Sequence, residues 1–494
     1  MIAAMARFRE EPAIRTPMRT LSYGQLVRES NGLAHVLVGL GVRPGDPVAL
    51  MIGNRSEWAV ADQAIIRAGA AKVPINNRLA EPEIAYILSD CGATVALTDA
   101  ELAPLARAAG VRHVIEIARD GEALIDAESA SEPPDVQVRA DDVSLILYTG
   151  GTTGRQKGVV HTQGGLAANL LAHVIEIGLQ DDERMLLTAP LAHSAGFLLQ
   201  AGLIKGAEVV VEERFDPVAV LDRFRREAIT FVFLVPTMIY RLLDAGDDAD
   251  ERPRALRTIL YGAAPITVER LEQGLRRFGP VFMQLYGQSE APNFLTRLTR
   301  EDHDLARPEL LASCGRPATM VEIAVLDDAG EPVGPGVSGE ICARTPYATT
   351  GYLGLPSATA TALAGGWLHT GDIGSIDSDG YLFVLDRKND MIISGGMNVY
   401  TTEVEQVVAA CEGVGQVAVA GVPHPDWGEA VVAFVVPATG YDEAEIIARC
   451  RRELAAYKRP KVIWPVEALP LTSVGKVDKK ALRMVLQMQN GALA

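Results

Sequence analysis

A loop rich in glycine and threonine carries the clearest chemical signal in the sequence. It lies at 148–158, reads YTGGTTGRQKG and follows an apolar run at 143–147 that is typical of a buried strand. Glycine has no Cβ atom, so the backbone N–H groups of such a loop can approach an anion closely. Threonine hydroxyls add donors, and Arg155 and Lys157 add positive charge. The composition therefore predicts a polyphosphate site, with a glycine-rich surface hairpin as the alternative.

This loop is not a Walker A motif. That motif places Gly-Lys directly before Ser or Thr at a turn from strand to helix. Here Lys157 is followed by Gly158 and Val159, and a second apolar stretch begins. The loop therefore belongs to another class of phosphate-binding loop.

Three other short segments contain small residues or a single carboxylate that could contact a nucleotide. The small residues of 261–265 (YGAAP) would let a flat ring approach the backbone. Glu290, in YGQSE, is one carboxylate, and one or two suffice to hold Mg²⁺ on nucleotide phosphates. Asp372, which we expect on a tight turn, could accept two hydroxyl groups. The alternatives are an ordinary strand-to-turn connection, an exposed turn glutamate and a solvated aspartate.

Two further candidates, His193 and Lys476, are weak signals when each is taken alone. His193 stands among apolar residues in PLAHSAGF, where a lone histidine is usually a satisfied core or surface group. Lys476 stands in a polar loop, where a surface lysine is the ordinary interpretation. Neither residue type predicts a function without its partners.

Length, charge and cysteine content limit the class of protein. A chain of 494 residues is too long for one core, so we expect two or more domains. A net charge of −17 argues against a nucleic-acid partner and an anionic membrane surface. The five cysteines are widely spaced, which favours reduced thiols in the cytoplasm. We find no signal-peptide h-region and no run of 18 apolar residues, so no membrane span is expected.

The elements that must position these groups alternate between strands and helices. Apolar runs at 47–52 and 94–98 are typical of buried strands, and 57–68 is typical of a helix. Ser22 with Gln25 predicts a helix capping box. Alternation of this kind predicts parallel sheets with helices on both faces, with ligands beyond the carboxyl ends of the strands.

The C-terminal part of the sequence predicts a smaller α+β unit. Strands are expected near 417–422 and 431–437, and a helix from Asp442. A further helix is expected with Thr402 as its cap and Glu405 as the capping-box partner. Its size, roughly a hundred residues, is normal for a domain.

Seven motifs in order, from about Leu21 to Arg483, resemble those of the adenylate-forming superfamily. This superfamily includes acyl-CoA synthetases, aryl-CoA ligases, luciferases and peptide-synthetase adenylation domains; the chain looks most like bacterial acyl- or aryl-CoA synthetases. The glycine-rich loop departs mildly from the family pattern, with Gly150 for Ser and Gln156 for Pro. The resemblance implies an α/β fold with a large N-terminal domain (1–388) of mostly parallel sheets flanked by helices. A small, mobile α+β lid (389–494) follows.

The resemblance also implies roles for individual residues. It assigns ATP and AMP binding to Thr149, Gly150, Gly151, Thr152, Thr153, Gly154, Lys157, Gly262, Ala263, Ala264, Tyr286, Gly287, Ser289, Asp372 and Arg387. Within this set, Tyr286 would stack on adenine and Asp372 would hold the ribose. It names Lys476, His193 and Glu290 as catalytic residues, with Glu290 also the ligand of Mg²⁺. His193, Ser194 and Phe197 would form the acid pocket.

The implied reaction has two steps. A carboxylate attacks the α-phosphate of MgATP to give an acyl-adenylate and pyrophosphate, and CoA then captures the acyl group. Between the steps the lid would turn about Asn389, withdrawing Lys476 and bringing Gly395 and Gly396 to an acceptor tunnel. Ser194 replaces the Asp that amino-acid adenylation domains use, which favours an apolar acyl or aryl acid.

The acceptor is the least decided part of this interpretation. Basic residues that could hold the 3′-phosphate of CoA are Arg451, Arg452, Lys458, Arg459 and Lys461. Against this, Asn389 replaces a charged hinge residue and Thr401 replaces a proline, which leaves room for an amide ligase with an amine acceptor. A nucleotide-sensing pseudoenzyme is a third interpretation. The expected ligands are thus ATP, Mg²⁺, CoA and a small carboxylic acid; a homodimer stays open.

Overall fold

The computed structural model describes residues 5–117, 131–149, 155–245, 252–388, 390–394, 396–472 and 477–489. Several predicted site residues lie outside these ranges: Gly150, Gly151, Thr152, Thr153, Gly154, Asn389, Gly395 and Lys476. No helix formed by the described residues combines the length and hydrophobicity that a membrane span requires.

The strands are numbered in chain order. Strands β1 to β8 are Pro12–Arg15, Thr20–Ser22, Pro47–Met51, Ala71–Pro74, Val95–Thr98, His113–Glu116, Val143–Thr149 and Lys157–Thr162. Strands β9 to β15 are Arg184–Leu187, Glu208–Val211, Phe231–Leu234, Thr258–Gly262, Phe282–Gln288, Ala291–Leu298 and Arg316–Pro317. Strands β16 to β20 are Glu322–Leu326, Gly339–Arg344, Gly351–Tyr352, Leu368–Ile376 and Leu382–Arg387. Strands β21 to β25 are Ile392–Ser394, Met397–Val399, Val414–His424, Gly428–Pro437 and Val462–Pro465.

The α-helices are numbered in the same way. Helices α1 to α7 are Tyr23–Gly39, Ser56–Arg67, Glu81–Cys91, Ala103–Ala108, Gln163–Ile177, Ser194–Lys205 and Pro217–Arg226. Helices α8 to α13 are Pro236–Asp244, Val268–Phe278, Pro356–Ala362, Thr401–Ala409, Glu443–Glu453 and Lys479–Gln489. Short 3₁₀ helices occur at Ala6–Phe8, Pro308–Ala312 and Ala364–Gly366.

The strands form four sheets in the described residues. Sheet 1 has the order β18-β8-β7-β4-β3-β5-β6 and is parallel from β7 to β6. Sheet 2 has the order β15-β14-β13-β12-β11-β9-β10-β1-β2 and is parallel from β13 to β1. Sheet 3, β16-β17-β19-β20, is antiparallel throughout. Sheet 4 has the order β22-β21-β24-β23, with β25 on β24. The predicted α/β class is confirmed, while the antiparallel sheet 3 was not expected.

Hydrophobic clusters explain how these layers hold together. One cluster joins sheets 1 and 2 through α1 and α2, and includes Leu33, Trp58, Leu50 and Phe231. In the C-terminal part, α11 and α12 cover one face of sheet 4 and α13 contributes to the cover of the other. Burial of sheet 4 on both faces fits its long apolar runs.

The helix ends test the local predictions. Ser22 and Gln25 form the expected capping box at α1, because each side chain accepts the other residue's backbone N–H. The prediction for Thr402 and Glu405 is wrong. Helix α11 begins at Thr401 without a side-chain cap, the Thr402 hydroxyl donates to the Leu385 carbonyl, and Glu405 accepts from the Val419 N–H. Contacts outside the helix take both side chains away from its backbone.

One buried ion pair lies between α2 and β4. The Asp62 side chain is fully buried, and it pairs with Lys72, whose side chain is 8% exposed. Gln200 of α6 donates to both Asp62 carboxylate oxygens over 3.0 Å. The pair therefore ties α6, which follows His193, to sheet 1.

Replacing Lys72 tests what this pair contributes. Lys72→Met should lower the free energy of unfolding by about 3–5 kcal/mol, because it leaves a buried carboxylate without its counter-charge. Urea unfolding measures the change. The control is Lys205→Met, because Lys205 pairs with Asp181, whose side chain is 69% exposed; water screens that pair, so this variant should lose far less stability. Equal losses in the two variants would contradict the interpretation.

Candidate active site

The predicted phosphate loop connects two paired strands. Thr149 at the end of β7 is opposite Lys157 at the start of β8. The segment between them includes Gly150–Gly154, which lies outside the described residues. Strands β7 and β8 therefore form an antiparallel pair, and the predicted phosphate loop is the segment of chain that connects them.

Helix α3 supports the base of this hairpin. The Tyr86 hydroxyl donates to the Gln156 carbonyl over 3.1 Å, and the Gln156 amide donates to Glu83 over 3.0 Å. One turn further along the helix, Asp90 accepts from the Tyr148 hydroxyl over 2.6 Å. Gln156 stands where the resemblance expects proline, and both its carbonyl and its side-chain amide contact α3.

Lys157 and Glu290 lie close to a common tyrosine. The Lys157 ammonium is 4.8 Å from the centroid of the Tyr352 ring, and the Tyr352 hydroxyl donates to Glu290 Oε1 over 2.7 Å. Burial and the Glu290 charge raise the pKa of Tyr352 well above its usual range, so it stays a donor. Tyr352 belongs to β18 at the edge of sheet 1, while Glu290 follows β13 of sheet 2.

A second group joins sheets 2 and 3 around a carboxylate. Asp372 is 4% exposed. It accepts from the Tyr286 hydroxyl over 2.7 Å, and the Arg387 guanidinium lies 3.0 Å from its other oxygen. The Asp372 charge raises the pKa of Arg387. Burial, together with the Asp372 charge, raises the pKa of Tyr286 well above its usual range.

Asp372 does not stand on a tight turn, and that expectation is wrong. It lies within β19, directly opposite Arg387 of β20. Gly371 has φ 69°, a left-handed conformation that glycine tolerates, so the strand is kinked just before Asp372. The group around Asp372 also interacts electrostatically with the group around Glu290, because the Glu290 charge contributes to the raised pKa of Arg387.

The small residues of the motifs permit close backbone approach. A Cβ atom at Gly262 would lie 2.5 Å from the Leu285 carbonyl oxygen, and one at Gly287 would lie 2.7 Å from the Asn293 backbone. Ala263 has φ 67°, while Ala264 is half-buried beside it. They follow β12, the parallel neighbour of β13.

Ser289 is held through its backbone. Its carbonyl accepts from His161 Nε2 of β8 over 2.7 Å. Because a carbonyl only accepts, Nε2 carries the proton. Burial lowers the pKa of His161 to about 4, so the imidazole is neutral. This bond joins the turn that carries Glu290 to the strand that carries Lys157.

Two asparagines position the predicted acid pocket. Asn76, just beyond β4, donates to His193 Nε2 over 3.1 Å, while its own oxygen accepts from the Arg78 N–H. Asn293, at φ 66°, donates to the Ser194 carbonyl over 3.4 Å and to His173 over 2.8 Å.

Phe197 forms the apolar part of this region. It stacks on His173 at 5.9 Å with an angle of 11° between the rings. It also packs against Leu145, Leu147, Leu166 and Leu170. Burial lowers the pKa of His173 to about 4, so this ring is also neutral.

The C-terminal residues of the predicted site are apart from these groups or undescribed. Gly396 is exposed in the β21–β22 hairpin, which pairs with β24. Asn389, Gly395 and Lys476 lie outside the described residues. Among the predicted basic residues, Lys461 lies 4.6 Å from the ring of Trp427, which is 38% exposed and stacked on His424 at 4.2 Å. Lys458 is already paired with Glu403.

Sequence reasoning missed Tyr352, His161, Asn76 and Asn293. Asn76 could have been found, because it follows a buried strand at its carboxyl end, where ligands bind in parallel sheets. Tyr352 had no such signal, since it reaches Glu290 from a distant part of the chain.

Comparison with known proteins gives consistent matches along the chain. Residues 2–353 match the family model described as "AMP-binding enzyme". Residues 403–476 match the model described as "AMP-binding enzyme C-terminal domain".

Several relatives span nearly the whole chain. The medium/long-chain-fatty-acid–CoA ligase FadD8 of Mycobacterium tuberculosis is 37% identical, over 98% of this chain and 89% of that protein. A feruloyl-CoA synthase of an Amycolatopsis species is 40% identical, over 95% of each chain. Among solved structures, the amide bond synthetase McbA from Marinactinospora thermotolerans has a TM-score of 0.89 at 32% identity, covering 98% of this chain and 99% of that chain.

The buried histidine His161 predicts a pH dependence of stability. Its folded pKa lies below the unfolded value, so the unfolded chain binds the proton more readily. Its contribution is therefore complete above about pH 6.5 and is lost as the pH falls toward 4. Between pH 8 and 5 the loss should be about 2 kcal/mol.

His161→Gln keeps an N–H donor for Ser289 but cannot titrate. Urea unfolding at pH 8 and pH 5 should show a smaller loss for this variant than for the natural chain. His35→Gln, at a half-buried histidine, is the control and should leave the loss unchanged. An identical pH dependence for His161→Gln and the natural chain would contradict the interpretation.

Proposed function

Because the chain belongs to the AMP-binding enzyme family, we propose that it joins a carboxylic acid to CoA at the expense of ATP. The observation that carries the proposal is the pair of groups described above, Tyr286–Asp372–Arg387 and Lys157–Tyr352–Glu290. In these groups, the Asp372 carboxylate could bind hydroxyl groups, and the cations Arg387 and Lys157 could bind phosphate. The N-terminal domain would comprise residues 1–388 and the C-terminal lid 389–494.

The nucleotide would lie between these two groups. Asp372 would accept the ribose hydroxyls, and Tyr286 would stack on adenine beside Gly262, Ala263, Ala264 and Gly287. The loop that starts at Thr149 and ends at Lys157 would hold the phosphates with Gly150, Gly151, Thr152, Thr153 and Gly154. The Ser289 hydroxyl would meet the α-phosphate, with Arg387 on the ribose and phosphate. Cations and N–H donors aimed at phosphoryl oxygens are what this chemistry requires.

Mg²⁺ would be held by Glu290. The residues fit this metal, because Glu290 is half-buried with a neutral donor on one oxygen, which leaves the carboxylate charge to a cation. One carboxylate is enough when the phosphates supply other ligands. When bound, the ion would neutralise charge on the phosphates of ATP.

The first step forms an acyl-adenylate. A carboxylate oxygen of the acid attacks the α-phosphorus, the bond to the bridging oxygen breaks, and pyrophosphate leaves. Lys476 would stabilise the charge in this step. The lid would then turn about Asn389, and Gly395 and Gly396 would line the path of the acceptor. In the second step the CoA thiol loses its proton and attacks the acyl carbonyl, and AMP leaves.

The acid would lie between His193, Ser194 and Phe197. The apolar surroundings of Phe197 suit an acyl chain or an aromatic ring. Two relatives support this class, since their names are those of a fatty-acid–CoA ligase and a feruloyl-CoA synthase. Asn76 would orient His193 beside the reacting carboxylate.

Thioester formation is favoured over amide formation by the relatives and by one surface feature. Trp427 is an exposed ring with Lys461 beside it. Such a pair can stack on a base and offer positive charge to a phosphate. The amide ligase is the second candidate, supported by the likeness to McbA and by the residues Asn389 and Thr401.

A competition experiment separates the two acceptors. The enzyme is given ATP and a panel of free acids to find the preferred one by pyrophosphate release. That acid is then offered with CoA or a panel of amines at equal concentration. We expect thioester to form much faster than any amide. If amides form readily while CoA stays unacylated, the amide ligase replaces the CoA ligase as the proposed function. A preference for α-amino acids would contradict the proposal that the substrate is an apolar acyl or aryl acid.

Asp372→Asn tests the ribose site. It keeps the shape of the side chain but removes the charge that accepts the hydroxyls, so ATP should bind roughly 30-fold more weakly, about 2 kcal/mol. Calorimetric titration with ATP measures the change. Asp379→Asn, at an exposed position of the β19–β20 hairpin, is the matched control. A changed acid preference with unchanged ATP affinity would contradict the ribose site and would indicate that Asp372 belongs to the acid pocket.

A further inference from the structure

Thr401 lies at the junction between the two parts of the chain. It is the first residue of α11 and is fully buried. Its backbone N–H donates to Asp386 Oδ2 over 2.5 Å, and its hydroxyl accepts from Lys479 Nζ over 2.6 Å. Proline, which usually stands here in the superfamily that the sequence resembles, has no N–H and no hydroxyl. A proline at this position could make neither bond.

We propose that Thr401 is a positioning residue: it fastens the C-terminal lid to β20 in the orientation seen here and thereby sets the balance between the two half-reactions. The effect on the half-reactions rests on the proposed function, whereas the role of Thr401 in holding the lid against β20 does not.

The charges around Thr401 are matched. Asp386 is 5% exposed, and burial raises its pKa, although Lys479 and the N–H and hydroxyl of Thr401 act in the opposite direction. Burial acts to lower the pKa of Lys479, but the charges of Glu405 and Asp386 outweigh it, so the pKa is raised. Lys479 Nζ lies 2.9 Å from Glu405 Oε1. The cation thus pairs with Glu405 of α11, and its charge also acts on Asp386 of β20.

A neighbouring contact crosses the same junction, because the Thr402 hydroxyl donates to the Leu385 carbonyl. Within the lid, Arg483 of α13 pairs with Asp390 over 3.1 Å. Successive residues of a strand point to opposite faces. Strand β20 therefore presents Asp386 to Thr401 and Arg387 to Asp372, so the junction is one residue from the proposed ribose site.

The observed orientation indicates which half-reaction the fastening favours. Gly396, Met397 and Asn398 are exposed. Residues that line a closed tunnel against the N-terminal part would be more covered than these are. The fastened orientation is therefore not the one proposed for thiol transfer, and loosening it should favour the second half-reaction over the first.

The local structure permits a clean set of variants. Proline is favoured at the first position of a helix, and Tyr400 before it has φ −83° and ψ 123°, as a residue before proline requires. Thr401→Pro thus removes both bonds without interrupting α11. Thr401→Val removes only the hydroxyl bond, and Thr401→Ser keeps both. Asp386→Asn loosens the contact from the other side.

The first measurement needs no activity. The native cysteines are buried or half-buried, so cysteines introduced by Asp328→Cys and Glu443→Cys, both at exposed positions, can be labelled for single-molecule energy transfer. The natural residue and Thr401→Ser should give one dominant distance. Thr401→Pro should add a second population, with Thr401→Val and Asp386→Asn in between. One unchanged distance in all variants would overturn the fastening.

The second measurement compares half-reactions. Acid-dependent pyrophosphate release reports the first, and consumption of supplied acyl-adenylate with CoA reports the second. The ratio of second to first should rise about tenfold in Thr401→Pro, the size expected from losing a hydrogen bond to a charged group. If the distance distribution changes in Thr401→Pro while the ratio stays constant or falls, the proposed effect on catalysis is overturned. If the natural chain makes no thioester from any acid, the proposed function fails, while the distance measurement still decides on the fastening.

Discussion

The buried carboxylate of Asp372 is the constraint on which the rest of the site depends. A charge that is 4% exposed is stable only with donors around it, and Tyr286 and Arg387 supply them from sheets 2 and 3. Each of these donors belongs to a strand whose register is set elsewhere in its sheet. The two oxygens of the Asp372 carboxylate thus hold β13, β19 and β20 together at one point.

A second set of bonds brings sheet 1 to the same point. The Tyr352 hydroxyl reaches Glu290, and the His161 N–H reaches the Ser289 carbonyl, so edge strand β18 and its neighbour β8 are both tied to the turn after β13. These bonds are made by neutral donors, since the pKa of Tyr352 is raised and that of His161 is lowered to about 4. These bonds therefore do not neutralise the positive charge of Lys157.

Local patterns predicted the parts of this structure that depend on neighbouring residues. The capping box at Ser22, the buried strands and the parallel order of sheets 1 and 2 follow from periodicity and cap chemistry. Sheet 3 did not follow, because its pairing contains register shifts, such as the one between Ile373 and Gly374, that no local pattern predicts. Thr402 was mistaken for a cap because the sequence cannot show that the Leu385 carbonyl is within its reach.

The hydrogen bond from Asn76 to His193 has a consequence for the charge of the proposed acid pocket. The Arg78 N–H fixes the Asn76 oxygen, so the amide nitrogen must face the imidazole, and His193 Nε2 must be its acceptor. The ring is then uncharged, with its single proton on Nδ1. If the acid binds as proposed above, its carboxylate would meet a dipole instead of a counter-ion. It would be oriented there without an ion pair and would remain a free nucleophile.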